Sequence, residues 1–512
     1  MLARLGIERL VLSIHQASFP ASADDIGHGA PASRRGRDLL AWARGLGFTG
    51  IALGPAGITT RENPSPYDAT IFSRNPLHVA FGAFGADVHA PAQRDHVDYA
   101  HAWDEAHRLL RGIEVSDDEL ALRREAMPWL AIEARYEGIA AIHGDDWRAW
   151  PLSPSEDAAA ARAFEVGQLL ADRDHAAFVA AAREHGLAVY ADLPIGISHR
   201  DRWSLQDSFL PGYAMGAPPS RTNPDGQPWD FPVLDPRRDV SALIAARLDR
   251  ALDGCAGLRI DHPHGWVCPW VYQRGGDVKL GARLYESPDL ADHPALAAYA
   301  RVRPDQIDRS RARHDDDWVR ALEPAQVDAY AAIFDRLVAR VGANDLMVEV
   351  LSTCPRPLAA VLARFGLGRF RITQKARVSV ADDVYRSDNA QPADWIMVGN
   401  HDTPSLRAVI ASWSADERER RARYLGARLR RPLRDDDREL ATAMLADLFL
   451  GPARNVIIFW PDLFAIEEPF NRPGVISADN WRLRMPPDFE RPRPPDVAPD
   501  LGTALTWAIA AR

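Results

Sequence analysis

The chain of 512 residues carries 61 Lys and Arg against 71 Asp and Glu, a formal net charge of -10. Because no basic block accompanies this balance, the phosphate-neutralising stripe of a nucleic-acid-binding protein is excluded, and a neutral substrate is compatible. A hydrophobic share of 46% and a charged share of 26% are typical of a globular protein with a sizeable core. A mainly disordered chain is therefore excluded.

Cysteine usage and the first residues bear on location. Cys255, Cys268 and Cys354 are odd in number and lack the close pairs of a metal site, which indicates free thiols in a reducing compartment. The opening MLARLGIERLVLSIHQ is interrupted by charges and lacks the apolar core of a signal peptide. No stretch approaches the roughly 18 uncharged apolar residues of a membrane helix. We predict a cytoplasmic protein without a membrane partner.

A helical stretch followed by a short apolar run recurs along the chain. Strand candidates without a preceding helix are LVLSIH, residues 10–15, and ADWIMVGNHD, residues 393–402. The helix-then-strand units lie, in chain order, at residues 37–55, 175–194, 241–262, 330–352 and 439–462. Buried strands connected by helices predict a parallel sheet, either open or closed into a barrel.

The position of four acids favours the barrel. Asp192, Asp261, Glu349 and Asp402 each lie at or just beyond the carboxyl end of a predicted strand, where barrel enzymes build their sites. We therefore predict an α/β fold, a (β/α)8 TIM barrel forming a single catalytic domain over residues 1–512.

Three segments interrupt the helix-and-strand alternation. Residues from about 78 to 170 are mostly helical, and those from about 266 to 325 are charged and irregular. Both are predicted to be insertions in barrel loops, the first helical and the second of loop and helix. A Pro-rich tail from about 484 to 500 is predicted to end the compact fold before a last helix.

Carboxyl groups at three strand ends suit the cleavage of a glycosidic bond, which needs two such groups flanking the bond. Strand alternation places Arg259 on the same side as Asp261, so the guanidinium could hold that carboxylate ionised, as a nucleophile must be. Glu349 follows an apolar run, and partly apolar surroundings suit a proton donor. His401 and Asp402 could hydrogen-bond to vicinal sugar hydroxyls, with Asp402 distorting the ring.

Each of these residues also has a structural interpretation. A lone acid at a strand end more often caps a helix or forms a surface ion pair, but three acids with Arg and His neighbours favour a site. His262 and His264 beside Asp261 could indicate a metal, although without an obvious third ligand hydrogen bonding is favoured. We therefore predict no metal at this position.

Aromatic residues in loops suit sugar binding, because sugar rings present apolar faces bordered by hydroxyls. Tyr67 lies in SPYDATIFSRNPLHV, just after a predicted strand, and Trp229 lies in QPWDFP, which is predicted to be a loop. Core packing is the expected role of most of the 15 tryptophans. Their loop positions make Tyr67 and Trp229 candidates for contact with substrate.

Taken together and in this order, the motifs resemble those of glycoside hydrolase family 77, the 4-α-glucanotransferases. SPYDATIFSRNPLHV is similar to the family's SPYQSxSAFAGNPxLI, YADLPIGIS to GDLPIYVA, and RIDHPHG to RIDHFRG. GAPPSRTNPDGQPWDFPVLDP is similar to GAPPDxFSxxGQxWGNPxYxW, and FNRPGVISADNWRLRMP to MNxPGTxxxNWxWRxP. The resemblance covers nearly the whole chain.

The resemblance implies a role for each candidate residue. Asp261 is the expected nucleophile, Glu349 the acid/base and Asp402 the transition-state stabiliser. The expected substrate-binding residues are Tyr67, Asp192, Trp229, Arg259, His262 and His401. The family resemblance also implies a malto-oligosaccharide or α-glucan substrate, no cofactor, and a barrel with inserted subdomains but no C-terminal β domain.

Three motifs depart from the family pattern. The acid motif AEDLG is VEVLS here, with Val350 replacing the second carboxylate, and THDNDT appears as NHDTPS. PPDxFS is PPSRTN, with Ser220 in place of the acid. The departures affect the acceptor side and with it the balance of transfer and hydrolysis.

The expected activity is transfer of α-1,4-glucan segments by double displacement with retention. The altered loops keep open an α-glucan hydrolase or a transferase with an unusual acceptor. A catalytically weakened glucan-binding protein is a further alternative, against which the retention of all three acids argues. A metal-dependent barrel enzyme such as a sugar isomerase is disfavoured by the lack of clustered ligands.

Overall fold

A computed structural model describes residues 1–89, 95–221, 223–286, 293–491 and 498–512. Residues 90–94 and 287–292 of the two predicted insertions, and 492–497 of the predicted Pro-rich tail, lie outside this description. The strands of the described residues are β1 (Arg9–Ser13), β2 (Gly50–Ala52), β3 (Ala188–Leu193), β4 (Tyr213–Ala217), β5 (Gln227–Phe231), β6 (Gly257–Ile260), β7 (Trp270–Gln273), β8 (Ala282–Arg283), β9 (Leu346–Val348), β10 (Phe370–Ile372), β11 (Trp395–Met397) and β12 (Asn455–Phe459).

The α-helices of the same residues are α1 (Arg34–Gly45), α2 (Tyr99–Gly112), α3 (Asp117–Ala126), α4 (Pro128–His143), α5 (Ala158–Glu184), α6 (His199–Ser204), α7 (Ser241–Leu252), α8 (His264–Val267), α9 (Pro294–Ala297), α10 (Pro324–Val341), α11 (Arg356–Phe365), α12 (Leu406–Ser412), α13 (Ala415–Leu429), α14 (Asp437–Leu448) and α15 (Leu501–Ala511). No described helix is long and apolar enough to cross a membrane.

Eight parallel strands form the central sheet, in the order β10-β11-β12-β1-β2-β3-β6-β9. This order follows the chain around a ring, since β12 pairs with β1 and the two ends of the sheet, β9 and β10, are consecutive in sequence. The described strands thus make a nearly closed parallel barrel, and the predicted TIM-barrel fold is confirmed. After β12 the described residues contain helices but no further strand, so no C-terminal β domain follows there.

Strand alternation sorts apolar side chains into two layers. Leu10 and Leu12 of β1 pack in the cluster that joins the barrel to its helices, whereas Val11 packs inside the barrel. The same alternation places Ile396 in the outer cluster and Trp395 in the inner one. Because successive side chains of a strand point to opposite faces, each strand supplies both layers.

The segment between β2 and β3 contains α2, α3 and α4 and the long α5, which leads into β3. This helical content agrees with the interpretation of residues 78–170 as a helical segment. That this segment is an insertion with those bounds stays a prediction, as does the single domain of residues 1–512.

A second sheet of four antiparallel strands, in the order β5-β4-β7-β8, was not predicted. Strands β7 and β8 lie in the segment 266–325, which therefore contains strands as well as loops and helices. The predicted loop placement of Trp229 is also wrong, because QPWDFP forms β5. Pro228 hides this strand from sequence patterns, yet β5 is an edge strand, where a missing N–H is tolerated.

One barrel strand, β10, carries a buried ion pair that we expect to matter for stability. Arg371 donates from Nε to Asp394 Oδ2 at 2.7 Å, with side-chain exposures of 9% and 3%. Replacing Arg371 by Ala would leave the buried Asp394 carboxylate without this partner. We expect a loss of about 3–5 kcal/mol in the free energy of unfolding, measured by urea denaturation.

The exposed pair Arg135–Glu156, 55% and 41% exposed, provides the matched control. Arg135→Ala should cost less than about 1 kcal/mol, because solvent screens such a pair. Equal losses in the two variants would contradict the structural importance of the buried pair.

Candidate active site

Arg259 lies at the centre of the candidate site and contacts carboxylates from three neighbouring strands. Its Nη1 donates to Asp192 Oδ2 at 2.5 Å, and its Nη2 donates to Asp261 Oδ1 at 3.1 Å and Glu349 Oε2 at 2.7 Å. Sheet register produces this arrangement, since Asp192 of β3 pairs with Arg259 of β6. On the other side Arg259 pairs with Met347, so Asp261 and Glu349 follow together beyond β6 and β9.

Asp261 is surrounded by donors on both carboxylate oxygens. Oδ1 accepts from Arg259, and Oδ2 accepts from the backbone N–H of Ile195 at 3.2 Å. Burial opposes ionisation, but the charges of His262 and Arg259 and the Ile195 hydrogen bond outweigh it and lower the pKa of Asp261. Asp261 is thus held ionised, the state that a nucleophile requires.

Asp192 and Tyr67 make further contacts with the guanidinium of Arg259. The Tyr67 hydroxyl donates to Asp192 Oδ2 at 3.0 Å, and Arg259 lies over the Tyr67 ring at 5.3 Å from its centroid. Burial raises the pKa of Asp192 to about 6, despite the opposing charge of Arg259. Asp192 and Tyr67 therefore support the position of Arg259 and are fixed by it in return.

Glu349 has one N–H donor on each oxygen. Arg259 donates to Oε2, and Asn400 Nδ2 donates to Oε1 at 3.5 Å. Oxygens of Asp261 and Glu349 also lie within 4.8 Å of each other. Retaining glycosidases hold their two carboxyl groups about 5–5.5 Å apart, whereas inverting enzymes need a wider gap for water. The arrangement suits double displacement.

His401 and Asp402 form a charged pair in the turn after β11. His401 Nε2 lies 3.4 Å from Asp402 Oδ2, and Asn471 Nδ2 donates to Asp402 Oδ1 at 2.7 Å. Burial opposes both charges, but the mutual attraction raises the pKa of His401 and lowers that of Asp402. The Asp402 side chain is 39% exposed, so its carboxylate is accessible to a ligand.

Three rings pack around His401 of this pair. Tyr67 stacks on His401 with centroids 4.8 Å apart, and Trp481 packs 5.6 Å from Tyr67 and 5.5 Å from His401. The buried His15, from the end of β1, packs against His401 at 5.0 Å. This aromatic packing limits the positions open to His401 and hence to its partner Asp402.

Trp229 and His262 make a second aromatic contact beside Asp261. Their rings stack with centroids 4.7 Å apart, and His262 adopts a left-handed backbone conformation, φ +40°. Positive φ is uncommon outside glycine, so it indicates a locally constrained backbone that places the imidazole next to the nucleophile candidate. His264 is turned away, with Nε2 at 3.0 Å from the Thr353 carbonyl oxygen.

Ligand atoms of Asp261, His262 and Glu349 lie within 4.8 Å of one another and could in principle hold a cation. Glu349 is a third candidate ligand that the sequence did not indicate, because the fold brings it to Asp261 and His262. However, Arg259 Nη2 donates to both carboxylates and already supplies a positive charge there. Its repulsion would oppose metal binding, and the absence of a cofactor stays a prediction.

The structure brings together the predicted site residues Asp192, Arg259, Asp261, Glu349 and Tyr67, which are linked by the hydrogen bonds around Arg259. The pair of His401 and Asp402 is joined to this group by the stacking of Tyr67, and Trp229 is joined by His262.

Sequence reasoning missed four residues that contact the site, namely His15, Asn400, Asn471 and Trp481. All four lie in segments with a recognisable signal. His15 ends the first predicted strand, Asn400 precedes His401, and the other two lie in FNRPGVISADNWRLRMP.

Comparison with known proteins agrees with this fold. The profile of the glycoside hydrolase family 77, described as 4-alpha-glucanotransferase, matches residues 14–489. The chain therefore belongs to glycoside hydrolase family 77, and the predicted family is confirmed.

Curated relatives include 4-alpha-glucanotransferases from Mycobacterium bovis and Chlamydia pneumoniae. The mycobacterial protein is 30% identical over 296 residues, which cover 48% of this chain and 40% of that protein. The chlamydial protein is 21% identical over 503 residues, covering 88% of this chain and 87% of that protein. The aligned part of the chain thus spans less than half of the mycobacterial relative but most of the chlamydial one.

Solved structures share the fold. Amylomaltase from Streptococcus agalactiae in complex with acarbose superposes with a TM-score of 0.75 at 16% identity, over 98% of both chains. Amylomaltase from Corynebacterium glutamicum gives a TM-score of 0.68 at 16% identity, covering 99% of this chain and 75% of that chain. At this level of sequence identity, the similarity is evidence for a shared fold.

The charged pair in the β11 turn leads to a titration prediction. In the wild-type protein His401 should titrate above 6.5, because the attraction of Asp402 outweighs burial. In Asp402→Asn, burial and the repulsion of Arg259 still oppose protonation of His401, and only a weaker attraction by Glu349 favours it. The pKa of His401 should therefore fall below 6.5. Imidazole NMR titration measures both values.

His78, whose pKa burial lowers to about 4, is the internal control and should not change. Because folding raises the pKa of His401, this residue adds stability below pH 6.5, and that stability is lost as the pH rises through the pKa of His401 in the folded protein. Because folding lowers the pKa of Asp402, this residue adds stability above pH 3.8. The pair should therefore stabilise the fold most between those two pH values. An unchanged His401 titration in Asp402→Asn would contradict the pairing.

Proposed function

We propose that this protein is a 4-α-glucanotransferase that moves α-1,4-glucan segments between malto-oligosaccharides by a retaining double displacement. The observation that carries the proposal is the Arg259 contact with both Asp261 and Glu349, whose oxygens lie within 4.8 Å. Family membership supports the same activity. The proposal includes the predicted role of each site residue.

In the first step, Asp261 is the nucleophile. Its ionised carboxylate attacks the anomeric carbon of the donor glucan, and the bond from that carbon to the leaving oxygen breaks. Glu349 transfers its proton to this oxygen, so the departing glucan leaves as a neutral alcohol. A covalent glucosyl ester remains on Asp261, and Glu349 is left ionised.

In the second step, the 4-hydroxyl of an acceptor glucan attacks the same carbon from the face that the leaving group vacated. Glu349 takes the hydroxyl proton, and the ester bond to Asp261 breaks. Two inversions give net retention, and both carboxyl groups return to their starting states. Water in place of the acceptor would give hydrolysis.

The other site residues stabilise and orient the sugar. Asp402, fixed by His401 and Asn471 and 39% exposed, is placed to accept hydrogen bonds from ring hydroxyls and to stabilise positive charge on the ring. Half-buried Tyr67 and Trp229 offer ring faces to neutral glucose units. A malto-oligosaccharide substrate fits these groups, while the cytoplasmic location stays a prediction from sequence.

The function is tested by incubating the purified protein with maltotriose alone and separating the products by chromatography. A glucanotransferase should produce glucose together with maltopentaose and longer oligomers. Glucose and maltose without longer products would identify a hydrolase instead. No reaction with maltotriose or longer glucans would favour a glucan-binding protein and contradict the proposal.

The same assay tests the two catalytic assignments through amide variants. Asp261→Asn and Glu349→Gln should each lower kcat by at least about 1,000-fold, because each removes a group that reacts in the transition state. Asp174→Asn is the matched control, since Asp174 is buried, has a pKa raised to about 6 and lies in α5 outside the site. Near-normal turnover in Asp261→Asn would contradict the mechanism.

A further inference from the structure

Lys375 lies at the carboxyl end of β10, between the strands that lead to two of the proposed catalytic residues. On one side β10 pairs with β11, and the turn after β11 carries Asp402. On the other side the nearly closed ring brings β10 next to β9, which Glu349 follows directly. The charges of Asp402 and Glu349 both act on the Lys375 ammonium group, as does the charge of Arg221. Lys375 is therefore part of the charged cluster at the site.

Lys375 is a half-buried cation without a direct counter-ion. Among the described residues, its ammonium group has no hydrogen-bond partner and no ion-pair partner. Burial lowers the pKa of Lys375, the attraction of Asp402 and Glu349 offsets this only in part, and Arg221 adds repulsion. The other lysine of the chain, Lys279, is paired with a carboxylate at 2.6 Å. A partly desolvated and unpaired ammonium group is stabilised by an anionic ligand.

A second cation reaches this region from another loop. Arg221 lies between β4 and β5, yet its Nη1 donates to Asp383 Oδ2 at 3.1 Å and its guanidinium lies 5.1 Å from the ring centroid of Tyr385. Both partners lie between β10 and β11, so the loop of Arg221 extends to the same side of the barrel as Lys375. Asp383 Oδ2 also accepts from Arg377 Nε at 3.0 Å. One carboxylate thus faces two guanidinium groups, and with Lys375 the positive charge is in excess.

The strand order puts these cations on the acceptor side of the proposed site. Asp261 follows β6, Glu349 follows β9 and Lys375 follows β10, in that order around the barrel. Because the acid/base protonates the leaving oxygen, the departing and incoming sugars occupy the side of Glu349 that faces away from the nucleophile. The loop of Arg221 also has Ser220 where the PPDxFS pattern has an acid, so a negative charge is missing beside the guanidinium.

We propose that Lys375 and Arg221 form an acceptor subsite for a sugar that carries an anionic group, either a phosphate or a carboxylate. The inference rests on the proposed transferase function and names its acceptor class. The bond changes are those of the second step: the acceptor 4-hydroxyl attacks the anomeric carbon, its proton passes to Glu349, and the ester bond to Asp261 breaks. The anionic group takes no part in these changes. Its attraction to the two cations brings the acceptor to the site and orients it.

Competition between acceptors tests this class of substrate. The purified protein receives maltotriose as donor, with equal concentrations of isotope-labelled glucose and one anionic acceptor, which is glucose 6-phosphate, α-glucose 1-phosphate or glucuronate. All these acceptors have a free 4-hydroxyl, and mass spectrometry separates their maltosyl products. Wild-type protein should favour at least one anionic acceptor over glucose by roughly 10-fold or more, as one hydrogen bond to a charged group would give. The phosphate and carboxylate reactions show which of the two groups is preferred.

Substitutions of the two cations test their part in this preference. Lys375→Met removes the charge at similar length, and the ratio of anionic to neutral transfer should fall by roughly 10-fold. Lys375→Arg keeps the charge and should keep most of the preference. Arg221→Gln should lower the ratio less, because Asp383 already offsets part of the Arg221 charge. Since both acceptors compete in one reaction, a general loss of activity leaves the ratio unchanged.

Lys279→Met is the matched control, because it removes the other lysine of the chain, which is 47% exposed and paired with Asp225. This variant should keep the wild-type ratio. The inference would be overturned by a wild-type protein that prefers no anionic acceptor, by an unchanged ratio in Lys375→Met, or by an equal fall in Lys279→Met. A wild-type protein that transfers to no acceptor, maltotriose included, would instead contradict the proposed function, so the two failures are distinguishable.

Discussion

The candidate site depends on one buried guanidinium. Arg259 binds the carboxylates of Asp192, Asp261 and Glu349, which come from three adjacent barrel strands. Each buried carboxylate alone would cost several kcal/mol in lost hydration, and the guanidinium, with five donors in a fixed planar fork, donates to all three. The same contacts that offset this cost also fix the angle between the two carboxylates proposed to react. Lysine, whose donors lie on a single nitrogen, would not reproduce contacts made from both Nη1 and Nη2.

Much of the barrel could be predicted from sequence, because seven of its eight strands lie in the predicted strand segments. The exception, β10, has only three residues with Arg371 in the middle, so it lacks the apolar run that marks the other buried strands. Its arginine is buried only because Asp394, 23 residues further on, supplies the partner. The antiparallel second sheet was missed for a related reason: β4 contains Gly216, β5 contains Pro228, β8 has only two residues, and the pairing of these strands is a property of the fold.

The site was predicted to the extent that local patterns determine it. Alternation within one strand placed Arg259 beside Asp261, a contact between residues that are two positions apart in the sequence. The contact of Arg259 with Glu349 spans 90 residues and depends on the register between β6 and β9, which sequence spacing does not encode. The roles of Asn400 and Asn471 likewise depend on how two turns meet Glu349 and Asp402. An asparagine in a turn has many structural uses, so its residue type alone indicated no role.

The proposed mechanism requires a covalent bond between the substrate and Asp261, the carboxylate held by Arg259. Incubation with 5-fluoro-α-D-glucosyl fluoride should trap that intermediate, because the ring fluorine slows its breakdown more than its formation. Peptide mass spectrometry is then the most direct measurement. We predict one fluoroglucosyl group on the peptide that contains Asp261, and no such group on this peptide in Arg259→Met. A label on Asp192, Glu349 or Asp402 instead, or none on a protein that turns over maltotriose, would contradict it.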